Sequence, residues 1–428
     1  MKEERFIDPK LNTLVTVPDY LKNCFINMKY PYVPNILLLD KIYIFYFTKI
    51  KRKISFYFKL LFKSKINFKA PIKKEYLIFD KEDSEYLEYL FSKKNYFIVK
   101  SRLDHIEEFY FNFEIIQFCL KNIFKRSLRL NYLIIITKLI DPKIILTMID
   151  NSTDFFIISN YFKNKEIKFI AIQNANRMVD MPMVYKNRFV HNYYIIGDYE
   201  KKILKNKEKT ILNLVSVGSL KASIAKNLFT KNNVKLRNNY YDLCVICDPY
   251  YLTNEKELLE MDRDLVTENI YKVAEYALKY AKKFNKKILF SGKTEVTNPL
   301  KSAEELFYKN YIQDKNFQIT FKDRKNFSNY ASLYESKIIV GYCSTMLREA
   351  FEFKKKVLCL NFAKIDNIDF PSSGICLLED KSYDSFEKRV SKILNMNYES
   401  YLEEVEDINS IYNNKFDALK FLKNEIKG

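Results

Sequence analysis

Residues 337–361, KIIVGYCSTMLREAFEFKKKVLCLN, constrain the fold of this 428-residue chain more than any other stretch. Ile338, Ile339 and Val340 form a short apolar run that stops at Gly341. Cys343, Ser344 and Thr345 make a small polar turn, and Met346, Leu347, Ala350 and Phe351 then fall at helical spacing. Val357–Leu360 is a second apolar run. Strand, hydroxyl-bearing turn, helix and strand define the βαβ unit of a parallel sheet. Free N–H groups at such a helix start hold phosphate. Ser344 and Thr345 add hydroxyl donors there, and Glu349 lies one turn in, where a carboxylate accepts from ribose hydroxyls. A plain N-cap role for Ser344 fits the same spacing.

The alternation recurs along the chain. Tyr76–Phe79, Tyr96–Val99, Lys143–Met148, Lys168–Ile172 and Tyr193–Ile196 read as strands, with helices over 84–91 and 155–162. A second series has strands at Asp242–Cys247, Lys287–Phe290, Gln318–Phe321 and Ile375–Leu378 around the unit above. Its helices are expected over 265–284, 302–311, 327–336 and 383–395, and near 411–426. Such alternation predicts an α/β fold of two Rossmann-like, doubly wound domains facing a cleft, with ligands at the carboxyl ends of the strands. The expected division is a basic, aromatic extension (1–70), a first domain (71–220), a linker (221–239), a second domain (240–398) and a C-terminal helical segment (399–428).

A hydrophobic content of 48% with 29% charged residues is that of a folded chain. The net charge of +19 fits nucleic acid, anionic lipid or phosphorylated substrates. Lys, Ile, Phe and Tyr are abundant throughout and Trp is absent, so compositional bias supplies part of that charge and selects no partner. The seven cysteines are scattered, and Cys244 and Cys247 sit inside an apolar run without a second pair or a nearby histidine. Buried thiols in a reducing cytosol fit them better than zinc or redox chemistry. Met1–Lys10 is polar, unlike a signal peptide, and no apolar run approaches the ~18 residues of a membrane span. Lys41–Lys74 contains eleven basic residues and no acidic one. Ile50, Ile54, Tyr57 and Leu61 share one helical face there, which predicts either a helix on an anionic membrane surface, centred on 41–65, or one packed on the domain with a solvated basic edge.

Further candidates lie at other strand ends. In Ser291-Gly292-Lys293-Thr294, Gly292 lets backbone approach phosphate and Lys293 neutralises a diphosphate leaving group, although the P-loop spacing is absent. Asp248 either faces the cleft or caps a turn. Asp150, after an apolar strand, is the expected base for an acceptor hydroxyl, with Glu107 and His105 behind it. His105 and His191 are the only histidines, which argues against a zinc hydrolase. Asp262-Arg263-Asp264 opens a helix rather than ending a strand, so it reads as acidic residues at a helix start. No metal and no cofactor is implied.

The run Val340–Ala350 followed by Lys355-Lys356-Val357-Leu358 resembles the donor-binding segment of GT-B glycosyltransferases and related sugar-nucleotide enzymes. There, small residues bind donor phosphates and the glutamate binds ribose. Ile149-Asp150-Asn151-Ser152, and Ile172-Gln173-Asn174 with Arg177, resemble a family of bacterial surface-carbohydrate biosynthesis proteins, with Ala175 where that pattern has glycine. The resemblance spans about 75–395 and implies a cytoplasmic, metal-independent glycosyltransferase of surface-glycan assembly, peripheral to the inner face of the membrane. It implies a nucleotide-sugar donor on Ser344, Thr345 and Glu349 with Gly341, Gly292, Lys293 and Asp248. A glycan or lipid-linked acceptor would meet Asp150, Asn151, Gln173, Asn174, Arg177, Gly218 and Ser219, with inversion by a single displacement. One alternative is transfer of polyol phosphate from a CDP-linked donor, whose enzymes usually show a histidine in the donor half. Another is a non-catalytic binder of nucleic acid or membrane, for which no recognition module appears. The related 2-epimerases use catalytic histidine, and none stands in the C-terminal half here.

Overall fold

Buried strands in a doubly wound sheet are apolar on both faces, and this chain supplies two sets of them. The computed structural model describes residues 5–7, 14–16 and 64–427, apart from 92, 94, 101–107, 178–188, 206–210, 232–235, 248–262, 299–300, 313–317, 343, 365–369 and 414. The first sheet comprises β1 (Tyr76–Phe79), β2 (Tyr96–Val99), β3 (Ile144–Thr147), β4 (Lys168–Ile172), β5 (Val190–Ile195) and β6 (Ile211–Ser216). Its order is β6-β5-β4-β3-β1-β2, parallel throughout. The second comprises β7 (Tyr241–Ile246), β8 (Ile288–Glu295), β9 (Ile319–Lys322), β10 (Ser336–Gly341), β11 (Lys356–Leu360) and β12 (Leu377–Leu378). Its order is β9-β8-β7-β10-β11-β12, again parallel. Order reverses between β1 and β3 and between β7 and β10, the switch points where crevices open at strand carboxyl ends.

Helices cover both sheets. The first lobe has α1 (Ser84–Glu88), α2 (Phe113–Lys121), α3 (Leu128–Ile140), α4 (Thr153–Phe162) and α5 (Tyr199–Lys205), and α6 (Leu220–Lys231) follows β6. The second has α7 (Arg263–Lys283), α8 (Lys301–Ile312), α9 (Ser328–Tyr334), α10 (Thr345–Glu349), α11 (Tyr383–Asn395) and α12 (Tyr398–Glu403). Helix α10 tightens into a 3-10 turn over Ala350–Phe353, closed by Lys354 in the left-handed region.

Three expectations need correction. Residues 221–239 are not an extended linker, because Leu220–Lys231 form α6, capped by Ser219, whose Oγ accepts from Ala222 N–H at 3.3 Å. The apolar residues of α6 join one core with both sheets: Leu220 and Ile224 share it with Tyr86 of the first lobe and Leu333 of the second. The residues near the C-terminus are not a separate segment either, since α13 (Ile408–Ile411) and α14 (Ala418–Lys427) return to the first lobe. Asp198 N–H donates to Asn409 O at 2.7 Å, Asn413 Nδ2 to Ser216 O at 2.9 Å, and Tyr194 O–H to Glu425 at 2.9 Å. The third correction is at Ser291–Thr294, where β8 runs on to Glu295 through a register shift instead of turning.

Cys119, Cys244, Cys247, Cys359 and Cys376 are buried free thiols. The predicted surface helix at 41–65 lies almost wholly outside the described residues. Among the described residues no helix is long and apolar enough to cross a membrane.

Candidate active site

The carboxyl ends of the second sheet open onto a cleft of 390 Å³ whose opposite wall comes from the first lobe. That volume suits a small-molecule ligand. Ile246 and Cys247 end β7, Ser291–Lys293 lie on β8, Lys322 ends β9 and Ser344–Met346 follow β10. Tyr86, Asn174–Asn176 and Lys221 face them from the first lobe.

Ser344 is the N-cap of α10 in extended conformation, and its Oγ accepts from Met346 N–H at 3.3 Å. Thr345 does something the sequence did not foreshadow: its Oγ1 accepts from Asn176 N–H of the other lobe at 2.9 Å. Glu349, one turn on, is buried at the cleft floor. It accepts from Ser219 Oγ at 2.5 Å and from Tyr330 O–H at 3.1 Å. Burial pushes its carboxyl above the ordinary range, against the opposing pull of Ser219, Lys221 and Tyr330. Desolvation and the Glu349 carboxyl together raise the Tyr330 phenol. Ser219 is therefore a buried partner of Glu349 and not an exposed acceptor contact. Gly218 sits beneath Tyr412 at φ +86°, where an added Cβ would come within 2.7 Å of the Tyr412 hydroxyl.

The helix carrying these groups is wedged between the lobes. Arg348 is 1% exposed and makes a two-pronged ion pair with Glu200 of α5, at 2.5 and 2.9 Å. Its remaining N–H groups reach Ile411 O at 2.7 Å, Ser410 O at 3.3 Å and Asn176 Oδ1 at 3.3 Å. A buried guanidinium with every donor engaged is held rigidly.

The candidates predicted at first-lobe strand ends have become scaffolding. Asp150 is 0% exposed; Arg177 grips it through Nε at 2.8 Å and through Nη2, and Tyr193 O–H donates to it as well. Asn174 N–H adds a bond at 3.4 Å. Neither Asp150 nor Arg177 lines the cleft as expected: Asp150 is enclosed by its partners, and Arg177 is its buried counter-ion. Gln173 spans Glu200 (2.7 Å), Ala175 O (2.9 Å) and Ile196 N–H (2.8 Å) and is likewise buried. Asn151 is exposed outside the cleft, whereas Asn174 does line it. On the donor side Gly292 and Lys293 line the cleft, but Gly341 packs against Ile246 instead. Glu107, His105 and Asp248 lie outside the described residues.

The sequence reading missed the cations that dominate the cleft. Asp83, after β1, pairs with Lys221 of α6 at 2.7 Å and with Arg324, after β9, at 2.8 Å. Burial raises the Asp83 carboxyl, but Lys221, Arg324 and Lys322 outweigh it and leave the group below its ordinary value. Arg324 also reaches Glu85 at 3.0 Å and Glu295 at 2.5 Å. Lys322 is different, with only a loose 3.8 Å approach to Glu295. Desolvation, then repulsion from Arg324 and Lys221, lowers its pKa. An under-compensated cation in a cleft suits an anionic ligand. Phe327, held in the left-handed region at φ 53°, sets its ring edge-on to Tyr86 across the lobes at 5.8 Å. Among the described residues no group of three or more His, Cys, Asp or Glu side chains is placed to hold a metal ion.

No protein-family model matches the sequence, and no curated protein matches it. Solved structures do match. The UDP-GlcNAc 2-epimerase from Neisseria meningitidis, crystallised with UDP-GlcNAc, superposes with a TM-score of 0.52 over 83% of this chain and 100% of its own, at 12% identity. A glycosyltransferase from Rickettsia africae (TM-score 0.43, 12% identity, 83% of this chain and 97% of that one) and the wall teichoic acid polymerase TagF (0.43, 10%, 83% and 88%) also match. The chain therefore has the GT-B-type fold anticipated from its motifs, two doubly wound sheets on either side of a cleft. At such identity the likeness defines the fold alone.

Proposed function

We propose that this protein is an enzyme acting on a nucleotide-linked sugar, a GT-B-type glycosyltransferase of surface-glycan assembly. The observation that carries the reading is the cleft at the β7/β10 switch point, where Lys322, Lys221 and the buried Glu349 converge with the hydroxyl turn of Ser344. Lys322 and Lys221 offset the charge of a diphosphate, held during binding and released as the leaving group. Ser344 donates to the same oxygens. Glu349 keeps a lone-pair site for a ribose hydroxyl beyond the bonds to Ser219 and Tyr330. Lys293, exposed at the cleft edge, adds long-range attraction. The acceptor enters past Asn174 and Asn176, on a loop that Asp150 and Arg177 hold in place. The fold likeness to a protein crystallised with UDP-GlcNAc supports a nucleotide-sugar donor.

A thermal-shift screen of UDP-, GDP-, CMP- and CDP-linked sugars tests the reading, because a ligand of the native state raises its melting temperature by mass action. A nucleotide sugar should raise it, and Ser344→Ala with Glu349→Ala should remove the rise while the protein stays folded. A response confined to CDP-linked polyols would select phosphate-polyol transfer instead. Interconversion of the bound sugar without any acceptor would select epimerisation. Indifference to all of them defeats the proposal.

A further inference from the structure

The cations of the cleft already have an anion among them, and it belongs to the chain. Asp83 follows β1 and is 5% exposed. Its carboxylate lies 2.7 Å from the Lys221 ammonium and 2.8 Å from the Arg324 guanidinium, and Asn174 Nδ2 donates to it at 3.4 Å. All three partners line the cleft, as does Lys322. Lys221 comes from α6 and Arg324 from the second lobe, so one carboxylate ties together elements on both sides of the ligand space. Glu85 and Glu295 also reach Arg324, but their side chains are 43% and 37% exposed and solvent screens them.

The backbone shows that Asp83 is not in its ordinary arrangement. It is the N-cap of α1, where an aspartate usually accepts from its own helix, yet it makes no such bond. It sits in the left-handed region at φ 61°, and Asp80, three residues earlier, is left-handed too at φ 89°. Non-glycine residues held there store strain, and such strain clusters at ligand clamps and switches. Asp83 therefore has two sets of partners within reach. One is the cleft cations, with the loop strained; the other is the first N–H groups of α1, with the backbone relaxed to the extended form of a usual cap. A purely structural ion pair needs no such alternative.

We propose that Asp83 is the resident anion of the cleft, and that a ligand binds by exchange for it. The incoming anion meets Lys322, whose approach to Glu295 is only 3.8 Å, and then takes Lys221 and Arg324 while Asp83 turns to α1. Exchange sets a threshold. A single charge offers the cations no more than Asp83 does, whereas two adjacent phosphates satisfy Lys221, Lys322 and Arg324 together. On the reading of a nucleotide-linked substrate, and resting on it, the donor class is then linked through a nucleoside diphosphate. Donors joined through a single phosphodiester charge are turned away.

Calorimetry at constant ionic strength with inorganic pyrophosphate, and with dimethyl phosphate as a singly charged anion, tests the exchange without nucleotide or sugar. Asp83→Asn and Asp83→Gly remove the charge, and both residue types accept a left-handed backbone, so the loop keeps its shape. Each should raise the affinity for pyrophosphate about tenfold, because the fraction of molecules with free cations limits binding to the parent. Dimethyl phosphate should be bound by the variants alone. Unchanged or weaker pyrophosphate binding in both variants would overturn the proposal, since Asp83 would then orient the cations instead of competing for them. Equal binding of the two anions by the parent would overturn it too, as would indifference of parent and variants to pyrophosphate. Exchange on pyrophosphate with every nucleotide sugar ignored would uphold the role of Asp83 and defeat the glycosyltransferase reading instead.

Discussion

The two sheets treat their carboxyl ends in opposite ways. In the first lobe the polar residues after β3 and β4 are spent on each other: Asp150 on Arg177 and Tyr193, Gln173 on Glu200 and Ile196. In the second the residues after β9 and β10 line the cleft, with Lys322 only loosely compensated and Ser344 half-buried. One lobe uses its strand ends to hold a loop still, and the other uses them to meet a ligand. The same strand-then-polar sequence pattern thus encodes two different jobs, and burial separates them.

Breaking the first lobe's network should have the largest effect. Asp150→Ala leaves the buried Arg177 guanidinium without its carboxylate counter-ion, which costs about 3–5 kcal/mol and shows as a lower urea midpoint. A stability matching the parent, with catalysis alone lost, would return Asp150 to the role of base. Next, Lys322→Gln should weaken nucleotide-sugar binding about ten- to a hundredfold by calorimetry, the worth of one charge-assisted contact of ~1.5–3 kcal/mol, and leave the fold alone. An unchanged Kd would erase the contrast between the lobes.

Glu349→Gln sharpens the comparison through pH. The folded-state pKa of Glu349 stands above its unfolded value, so its protonated form favours the fold. That contribution is fully present below the unfolded pKa and is lost as pH rises through the folded one. Melting temperature should therefore fall less steeply with rising pH in Glu349→Gln than in the parent across that window, while ligand binding is impaired. Parallel profiles would show that the carboxyl is not penalised by its burial. Lys293→Ala should matter least, about threefold or less in affinity, because the side chain is exposed and solvent screens it.

Much of the architecture was legible because buried strands are short, apolar and bounded by polar turns. Tyr76–Phe79, Tyr96–Val99 and Lys168–Ile172 occur at their expected limits, as does the 383–395 helix. Helix α3 was not anticipated, since LRLNYLIIITKLI is apolar nearly all round and has no helical stripe to read. The run into α6 was mistaken for a linker because Lys and Asn dominate its far end, while its small apolar residues bury themselves between the lobes. At the candidate site, Ser344, Thr345, Glu349, Gly292 and Lys293 were singled out from local pattern, and all five line the cleft. Lys221, Lys322, Arg324 and Arg348 were not, because each depends on a partner far away in the chain. Arg348 and Glu200 are separated by 148 positions, and no local spacing announces such a pair.

The return of α13 and α14 to the first lobe bears on how the chain matures. Asp198 N–H, Ser216 O and Tyr194 O–H are each bonded to residues within 409–425, so during synthesis part of the first sheet's surface stays bare until the second has been made. Neither half is a self-sufficient unit. Fragments cut near residue 240 should be recovered as aggregates when expressed apart, and only co-expression should yield folded protein.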